Sequence, residues 1–205
     1  MSAVQREAKQ KQFIKRLEDP PVAKSLFGDV RWAWVWLILR LYLGWSWLEA
    51  GLGKLGNPAW TGDKSGAAIT GFVNSALTKT SGAHPDVQGW YAAFLWNVVL
   101  PNAKFWSYLV TFGEILVGIA LILGLFTGIA AFFGSIMNIN YLLAGTVSTN
   151  PVLFVIATLL VLAWKIAGWW GLDRWVLPAL GTPWRPGIVL EDSGGGLQPE
   201  LSPSE

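Results

Sequence analysis

The sequence contains no cysteine and only one histidine, His84, among its 205 residues. Without cysteine, the chain cannot carry out thiol–disulfide chemistry, ligate an iron–sulfur cluster through thiolates or attach haem through thioether bonds. A single histidine also excludes a haem held by two histidines of one chain. We therefore expect no haem, no iron–sulfur cluster and no metal site, so that any electron carrier has to be a diffusible cofactor or a partner protein.

Charged residues are scarce as well, at 14% of the chain, against about a quarter in soluble proteins. The net charge of +2 is too small and too dispersed for a nucleic-acid-binding surface, so we expect no nucleic-acid partner. Hydrophobic residues reach 53%, and the mean hydropathy is +0.42. This composition predicts an integral membrane protein that has the lipid bilayer as a partner.

Four apolar segments predict membrane spans at about 32–55, 105–126, 129–145 and 152–171. The connection 56–105 contains two amphipathic stretches, 66–77 and 87–100, that are too short to span. We expect both to lie in the outer interface as helices, the second ending at Pro101. The expected fold is therefore all-α: an integral membrane four-helix bundle with short interfacial helices in the external connection between spans 1 and 2.

Polar segments flank this membrane domain, which we place at residues 32–184. Residues 1–31 are expected to form a basic cytoplasmic segment and residues 185–205 a disordered tail. The two ends, 1–31 and 172–205, hold nine Lys and Arg residues, whereas residues 56–151 hold three. Because basic residues accumulate in cytoplasmic loops, this imbalance predicts a multi-pass protein of the cell (cytoplasmic) membrane with both termini in the cytoplasm.

Inside the predicted spans lie the charged side chains of Arg40, Glu49, Glu114 and Lys165 and the amide of Asn138. A charge deep in a membrane costs roughly 3 kcal/mol on insertion scales, so it normally faces other helices or an aqueous cavity. At helical spacing Arg40 shares a stripe with Lys54, and Asn138 shares one with Tyr141. These polar residues are our candidates for a site inside the bundle.

Position along the helices favours one specific ion pair. Arg40 and Glu114 lie on small-residue stripes of consecutive helices, where Gly44 and Gly118 allow close backbone approach. We therefore predict a direct contact between Arg40 and Glu114. Three roles stay open for the buried polar groups: a fixed ion pair that sets helix register, a polar cavity for a quinone headgroup or a small anion, and a proton or ion path.

The order of glycines and charges resembles that of the DoxX family of small four-span membrane proteins. The matching residues are Arg40, Gly44, Gly51 and Lys54-Leu55, then Gly113-Glu114, Gly118, Gly124-Leu125, Gly128 and Ala131, and finally Gly171-Leu172-Asp173-Arg174. The Asn57-Pro58-Ala59-Trp60 stretch and the long external connection are most similar to the DoxD-like branch, the membrane subunit of thiosulfate:quinone oxidoreductase. The resemblance covers about residues 31–184.

This resemblance implies a quinone-linked redox subunit that accepts electrons from a reduced sulfur anion such as thiosulfate. In this hypothesis Glu114 and Arg40 are catalytic, and substrate or quinone contacts Arg40, Lys54, Glu49, Asn138, Tyr141 and Lys165. A second protein subunit or further copies of the chain would be its partners. The alternative is a non-catalytic scaffold or assembly subunit for a redox partner. A transporter ranks third, because the discontinuous helices and repeat typical of that class are not visible in the sequence.

Overall fold

The computed structural model describes residues 19–180, of which 77% are helical and none belongs to a strand. The predicted all-α class is therefore confirmed for this range. Residues 1–18 and 181–205 lie outside the described residues. Most of the basic segment 1–31 and the whole tail 185–205 fall there, so the predictions for them are not tested.

The main helices follow the predicted order. They are α1 (Pro21–Gly28), α2 (Ala33–Leu55), α3 (Ala67–Leu77), α4 (Gly89–Leu123), α5 (Thr127–Leu143), α6 (Asn150–Leu162) and α7 (Asp173–Ala179). Single helical turns at Val30–Trp32, Pro58–Thr61 and Trp164–Ala167 lie between them. Helix α3 and the first part of α4 occupy the long connection in which two short helices were predicted.

Helix α4 does not end at Pro101, which corrects the predicted break. Its geometry changes to a π turn at Leu95–Val99 and a 3-10 turn at Leu100–Asn102, and α-helix resumes at Ala103. Pro101 stands at the start of the 3-10 turn, where its missing N–H leaves few hydrogen bonds unmade. The resulting 35-residue helix is the only one in the described part of the chain that is both long and apolar enough to cross a membrane.

The other helices fall short of that criterion. Helices α5 and α6 have 17 and 13 residues, against roughly 20 for a span. Helix α6 ends at Leu162 because Ala163 leaves helical geometry, so the single segment predicted for 152–171 is interrupted. Helix α2 is 23 residues long but carries three charges. Crossing of the membrane by four helices therefore stays a prediction.

Helices α2 and α4 pack with their backbones in contact. A Cβ built on Gly118 would lie 2.6 Å from the backbone nitrogen of Leu48, and one on Gly51 would lie 2.8 Å from that of Ile115. Only glycine permits this approach, as in small-residue interfaces between membrane helices. The main apolar core lies where these two helices meet α5 and α6, and a second core lies between α3 and the first part of α4.

The inward-facing stripes predicted on three helices are confirmed. The buried residues include Arg40, Gly44, Trp47 and Gly51 on α2, Ser107, Thr111, Glu114, Gly118 and Leu121 on α4, and Gly134 and Asn138 on α5. The inward position expected for Lys165 in the fourth predicted span is wrong, because Lys165 is exposed, as is Thr158, two helical turns before it. The break at Ala163 shifts Lys165 out of register with α6, whose buried side is formed by Leu153, Ala157 and Leu160.

Candidate functional site

A buried carboxylate on α4 brings three helices together. Glu114 is 1% exposed, and its Oε2 lies 2.6 Å from Nζ of Lys54, near the end of α2. Its Oε1 accepts a hydrogen bond of 2.7 Å from the hydroxyl of Tyr141 on α5. Lys54, Glu114 and Tyr141 are called the carboxylate cluster below. Both carboxylate oxygens therefore have a donor, which is what a buried carboxylate requires.

Lys54 lies at the edge of the carboxylate cluster that faces the connection 56–105. Its side chain is 19% exposed, and Nζ also donates to the backbone oxygen of Ala50 at 3.5 Å. The ammonium lies 5.1 Å from the ring centroid of Trp60, a cation–π geometry. Trp60 is fixed in turn, because its backbone oxygen accepts a hydrogen bond from the hydroxyl of Ser107. The sequence predicted a role for Lys54 but not the contact with Trp60.

The predicted pair of Arg40 and Glu114 is wrong. Arg40 is 1% exposed, but its guanidinium donates to the backbone oxygens of Leu121 at 2.9 Å and Trp170 at 3.1 Å. Leu121 lies seven residues beyond Glu114, which is about 10 Å along an α-helix. Arg40 therefore sits too far along the bundle to reach the carboxylate, and it is not placed in the candidate site.

Arg40 instead belongs to a structure that holds the turn between α4 and α5. Asp173 accepts hydrogen bonds from the backbone N–H groups of Phe126 at 2.5 Å and Thr127 at 2.9 Å. Its own N–H donates to the oxygen of Gly124 at 2.8 Å. Phe126 has a positive φ of 50°, uncommon for a residue other than glycine, so these contacts secure a strained turn. The end of the bundle at Gly124–Thr127 is called the turn end below.

Sequence reasoning missed this role of Asp173. The signal was present in Gly171-Leu172-Asp173-Arg174, which carried the family resemblance without an assigned contact. A Cβ on Gly171 would come within 2.7 Å of the Cα of Gly124, so the two motif segments touch directly. Asp173 also supplies the favourable charge interaction for Arg40. The residues of this motif therefore have a structural role, which is to hold the turn between α4 and α5.

Asn138, a predicted site residue, lies in the interior without a hydrogen-bonding partner among the described residues. It is 0% exposed, and neither side-chain atom makes a hydrogen bond with another described residue. The indole N–H of Trp47 is likewise unpaired, and it lies 3.0 Å from a Cβ built on Gly134, one turn from Asn138. Unpaired polar groups in an apolar core cost about 1–3 kcal/mol each, and neither Asn138 nor Trp47 lines the cavity described below.

Two other predicted site residues lie away from the cluster. Glu49 and Lys165 are both exposed, and neither makes an ion pair with any residue between 19 and 180. Glu49 points away from the stripe of α2 that carries Arg40 and Lys54. Lys165 follows the break in α6, beside the turn end. The structure therefore brings together Lys54, Glu114 and Tyr141, and leaves these two outside.

A mainly apolar cavity of about 560 Å³ lies between α4 and α5 and reaches the carboxylate cluster. Its walls include Leu116, Val117, Ile129, Phe133 and Met137, and α3 contributes Ile69 and Phe72, whose ring centroid lies 6.0 Å from that of Tyr141. Tyr141 lines this cavity, and its hydroxyl reaches Glu114. Tyr141 is therefore the link between the cavity and the buried ion pair.

Two further polar residues on the cavity wall were not predicted. The hydroxyl of Tyr91 donates to the backbone oxygen of Asn140 at 3.0 Å, and the amide oxygen of Asn140 lies 3.1 Å from the same hydroxyl. Both residues line the cavity near Tyr141. No sequence signal pointed to Tyr91, because it lies in the stretch assigned to a separate interfacial helix. The cavity thus has an apolar body and a small polar end.

This arrangement can bind a molecule with an apolar body and a hydrogen-bonding head, and it can hold a proton beside that head. When Glu114 is protonated, it can donate to the hydroxyl of Tyr141 and leave the O–H of Tyr141 available to a bound acceptor, and the ammonium of Lys54 balances the charge when Glu114 is ionised. Proton exchange and ligand positioning are the chemistry that the cluster offers.

Comparison with known families supports the match seen in the motifs. The family model described as DoxX matches residues 35–148, which is more than half of the chain. The matched range contains Lys54, Glu114 and Tyr141 and most of the cavity wall. No curated protein and no solved structure matches the chain.

Proposed function

This chain belongs to the DoxX family of membrane proteins, and we propose that it is the quinone-binding subunit of a membrane redox complex. One observation carries the proposal. Tyr141 forms part of an apolar cavity and donates its hydroxyl to the buried carboxylate of Glu114, whose other oxygen pairs with Lys54. A quinone needs the same combination of an apolar site and a nearby proton donor.

The cavity fits the shape and polarity of a quinone. Its volume of about 560 Å³ lies within the range of small-molecule sites, roughly 300–1,000 Å³. Leu116, Ile129 and Phe133 line it and are also exposed on the outside of the bundle. An isoprenoid tail could therefore enter from the lipid, while the polar end offers the hydroxyls of Tyr91 and Tyr141.

Each residue of the carboxylate cluster would have a defined task. When bound, a quinone supplies an acceptor for two electrons and two protons. With Glu114 protonated, its O–H would donate to the hydroxyl of Tyr141, and that hydroxyl would donate its own proton to a quinone oxygen and so orient the headgroup. Lys54 would hold the carboxylate of Glu114 in place and balance its charge. Arg40, predicted to be catalytic, would instead maintain the turn end and would not touch the ligand.

The electron donor that we propose is a reduced sulfur anion such as thiosulfate, as in the DoxD-like branch. Joining two thiosulfate ions through a new S–S bond releases two electrons, the number that one quinone accepts. Trp60, in the stretch that carries the resemblance to this branch, packs on the ammonium of Lys54, whose side chain is 19% exposed. That ammonium is a cationic group that an anion could approach. A partner subunit would house the sulfur chemistry.

Quinone binding can be tested on the purified chain. Trp60 and Trp106 line the cavity, so a bound decylubiquinone should quench part of the tryptophan fluorescence. We expect saturable quenching that Tyr141→Phe weakens by about tenfold in affinity, the effect of one lost hydrogen bond to a ligand. Tyr108→Phe is the matched control, because its hydroxyl donates to the backbone oxygen of Thr61 outside the cavity. Equal affinities for both variants, or no saturable quenching, would overturn the proposal.

The electron donor needs a separate test. Native membranes that contain the full-length chain should reduce decylubiquinone when thiosulfate is added, and Glu114→Gln should lower this rate at least about tenfold, the scale of a lost proton-transfer group. Saturable quinone binding without any thiosulfate-dependent rate would keep the quinone site and reject thiosulfate as the donor.

A second candidate function is a scaffold for a redox partner. The finding that favours it is that Arg40 and Asp173 hold the turn end. Two charged residues of the family motif therefore stabilise the fold and do not contact the cavity. The double variant Lys54→Met/Glu114→Leu discriminates between the two functions. A scaffold with these changes should keep its partner and the activity of the complex. Loss of quinone reduction while the complex stays assembled would reject the scaffold.

A further inference from the structure

The outer face of α2 carries a charge that the described part of the chain does not neutralise. Glu49 is exposed, and no residue between 19 and 180 forms an ion pair or hydrogen bond with its carboxylate. Its neighbours on this face are Tyr42 and Ser46 on one side and Leu52 and Gly53 on the other. Apart from Glu49, this surface consists of small, hydroxyl-bearing and apolar residues, which are common at positions that face lipid or another helix.

Contacts between α2 and α4 fix the depth of Glu49. The residue before it, Leu48, packs its backbone against Gly118, and Gly51 packs against Glu114 and Ile115. Glu49 therefore lies level with residues 114–118 of the helix that is long and apolar enough to span the membrane. The outer surface of α4 near this level is apolar, since Leu116 and Ile119 are exposed there. A carboxylate facing lipid at this depth is strongly unfavourable.

From this depth and exposure we infer that the outer face of α2 binds a transmembrane helix of a different polypeptide that carries a Lys or Arg at the level of Glu49. A basic side chain would neutralise the carboxylate and hydrogen-bond to it. Ser46 and Gly53, about one turn to either side of Glu49, leave room for a second helix to approach closely. The proposal goes beyond the quinone site, which lies between α4 and α5 and contains no residue of this face.

A second copy of the chain does not meet the requirement. Two copies in one membrane, related by an axis along its normal, place identical residues at equal depth, so Glu49 would face another Glu49. The exposed basic residues that the structure describes lie at other levels. Lys24 and Arg31 precede α2, Lys64 lies in the connection, and Arg174 follows Asp173 near the turn end. Lys104 is ten residues from Glu114 along α4, and Lys165 lies beside the turn end, where Trp164 packs on Gly128. Charge complementarity therefore selects a different polypeptide.

Site-specific photo-crosslinking in native membranes tests this interface on the full-length chain. A benzophenone amino acid replaces Ser46, and a matched control replaces Val155, which is exposed on α6 away from this face. Adducts are then mapped by mass spectrometry. We expect the probe at position 46 to capture one transmembrane segment of another polypeptide that contains a Lys or Arg, and the probe at 155 to capture lipid.

The role of Glu49 itself is tested by adding Glu49→Gln to the position 46 probe. The yield of the adduct should fall by about tenfold, because polar contacts between membrane helices reach this size. Glu49→Lys combined with Glu in place of the partner's basic residue should restore it. An unchanged thermal unfolding temperature of Glu49→Gln shows that the chain still folds. Adducts only to lipid, to α2 of a second copy, to residues 1–18 or 181–205, or to a segment without Lys or Arg would overturn the inference, as would a yield unaffected by Glu49→Gln.

Discussion

The ammonium of Lys54 lies 2.6 Å from a carboxylate oxygen of Glu114, although 60 residues separate the two in the chain. The contact exists because Gly51, one turn before Lys54, packs directly against Glu114. Close backbone packing of α2 and α4 thus creates the ion pair.

The first prediction concerns the ion pair. Lys54→Met should destabilise the protein by about 3 kcal/mol, because it leaves the charge of Glu114 buried without its cation. Adding Glu114→Leu should recover a large part of that loss, since no charge then remains in the interior. Thermal unfolding of the single and double variants in detergent gives the coupling energy. Lys104→Met, at an exposed lysine without an ion pair in the described region, is the control. Strictly additive losses would show that the pair does not stabilise the fold.

The second prediction concerns the phenol. Tyr141→Phe leaves one oxygen of Glu114 without a donor, so we expect a loss of about 1–3 kcal/mol in the free energy of unfolding. Tyr91→Phe removes a hydroxyl from the same cavity that donates only to Asn140, and should cost no more than about 1.5 kcal/mol. Denaturant unfolding compares the two. A larger loss for Tyr91→Phe would contradict the assignment of Tyr141 to the carboxylate cluster.

The third prediction concerns helix packing. Gly118→Ala puts a methyl group 2.6 Å from the backbone of Leu48, which forces α2 and α4 apart. Overpacking of this kind costs about 1–3 kcal/mol, and the ion pair of Lys54 and Glu114 should weaken with it. Gly71→Ala is the control, because no atom lies within 4 Å of its new methyl group. That change should raise stability by about 0.5–1 kcal/mol, as glycine is unfavourable inside a helix. Equal unfolding temperatures for the two variants would contradict this account.

The fourth prediction concerns the turn end. Asp173→Asn replaces a charged acceptor for the N–H groups of Phe126 and Thr127, and should destabilise the turn by about 1.5–3 kcal/mol. Hydrogen exchange of residues 124–128 should accelerate, whereas exchange around Glu114 should change little. Asp63→Asn, at an exposed acid in the connection, provides the comparison. Uniformly faster exchange in all helices would show that Asp173 supports the whole fold rather than this turn.

Helical periodicity correctly predicted which side of α2, α4 and α5 faces inward. Regular spacing carries this information because side chains three to four residues apart share one face of a helix. It also selected Lys54, Glu114 and Tyr141 among the candidate residues. The break at Pro101 was wrong because the π turn and the 3-10 turn accommodate a residue without an N–H. The inward position of Lys165 was wrong because helical geometry is interrupted at Ala163, where periodicity no longer applies.

The pairing of charges could not be derived in the same way. Arg40 and Lys54 share one stripe of α2 and both satisfied the requirement of facing inward. The choice between them as partner of Glu114 depends on how far α2 is shifted along α4. That shift is set by the contacts of Gly51 with Ile115 and of Gly118 with Leu48, and neither is visible without the packed structure.

The sequence by itself determined that the chain is helical, apolar and free of thiol chemistry, which helix faces turn inward, and which family it belongs to, because composition, spacing and motif order depend on the chain alone. The pairing of Glu114 with Lys54, the contact of Arg40 with a turn and the link that Tyr141 makes between a cavity and the carboxylate became known from the packed helices. The physical reason is that hydrogen bonds and ion pairs act over about 3 Å, whereas a shift of one turn between two helices moves every side chain by about 5.4 Å.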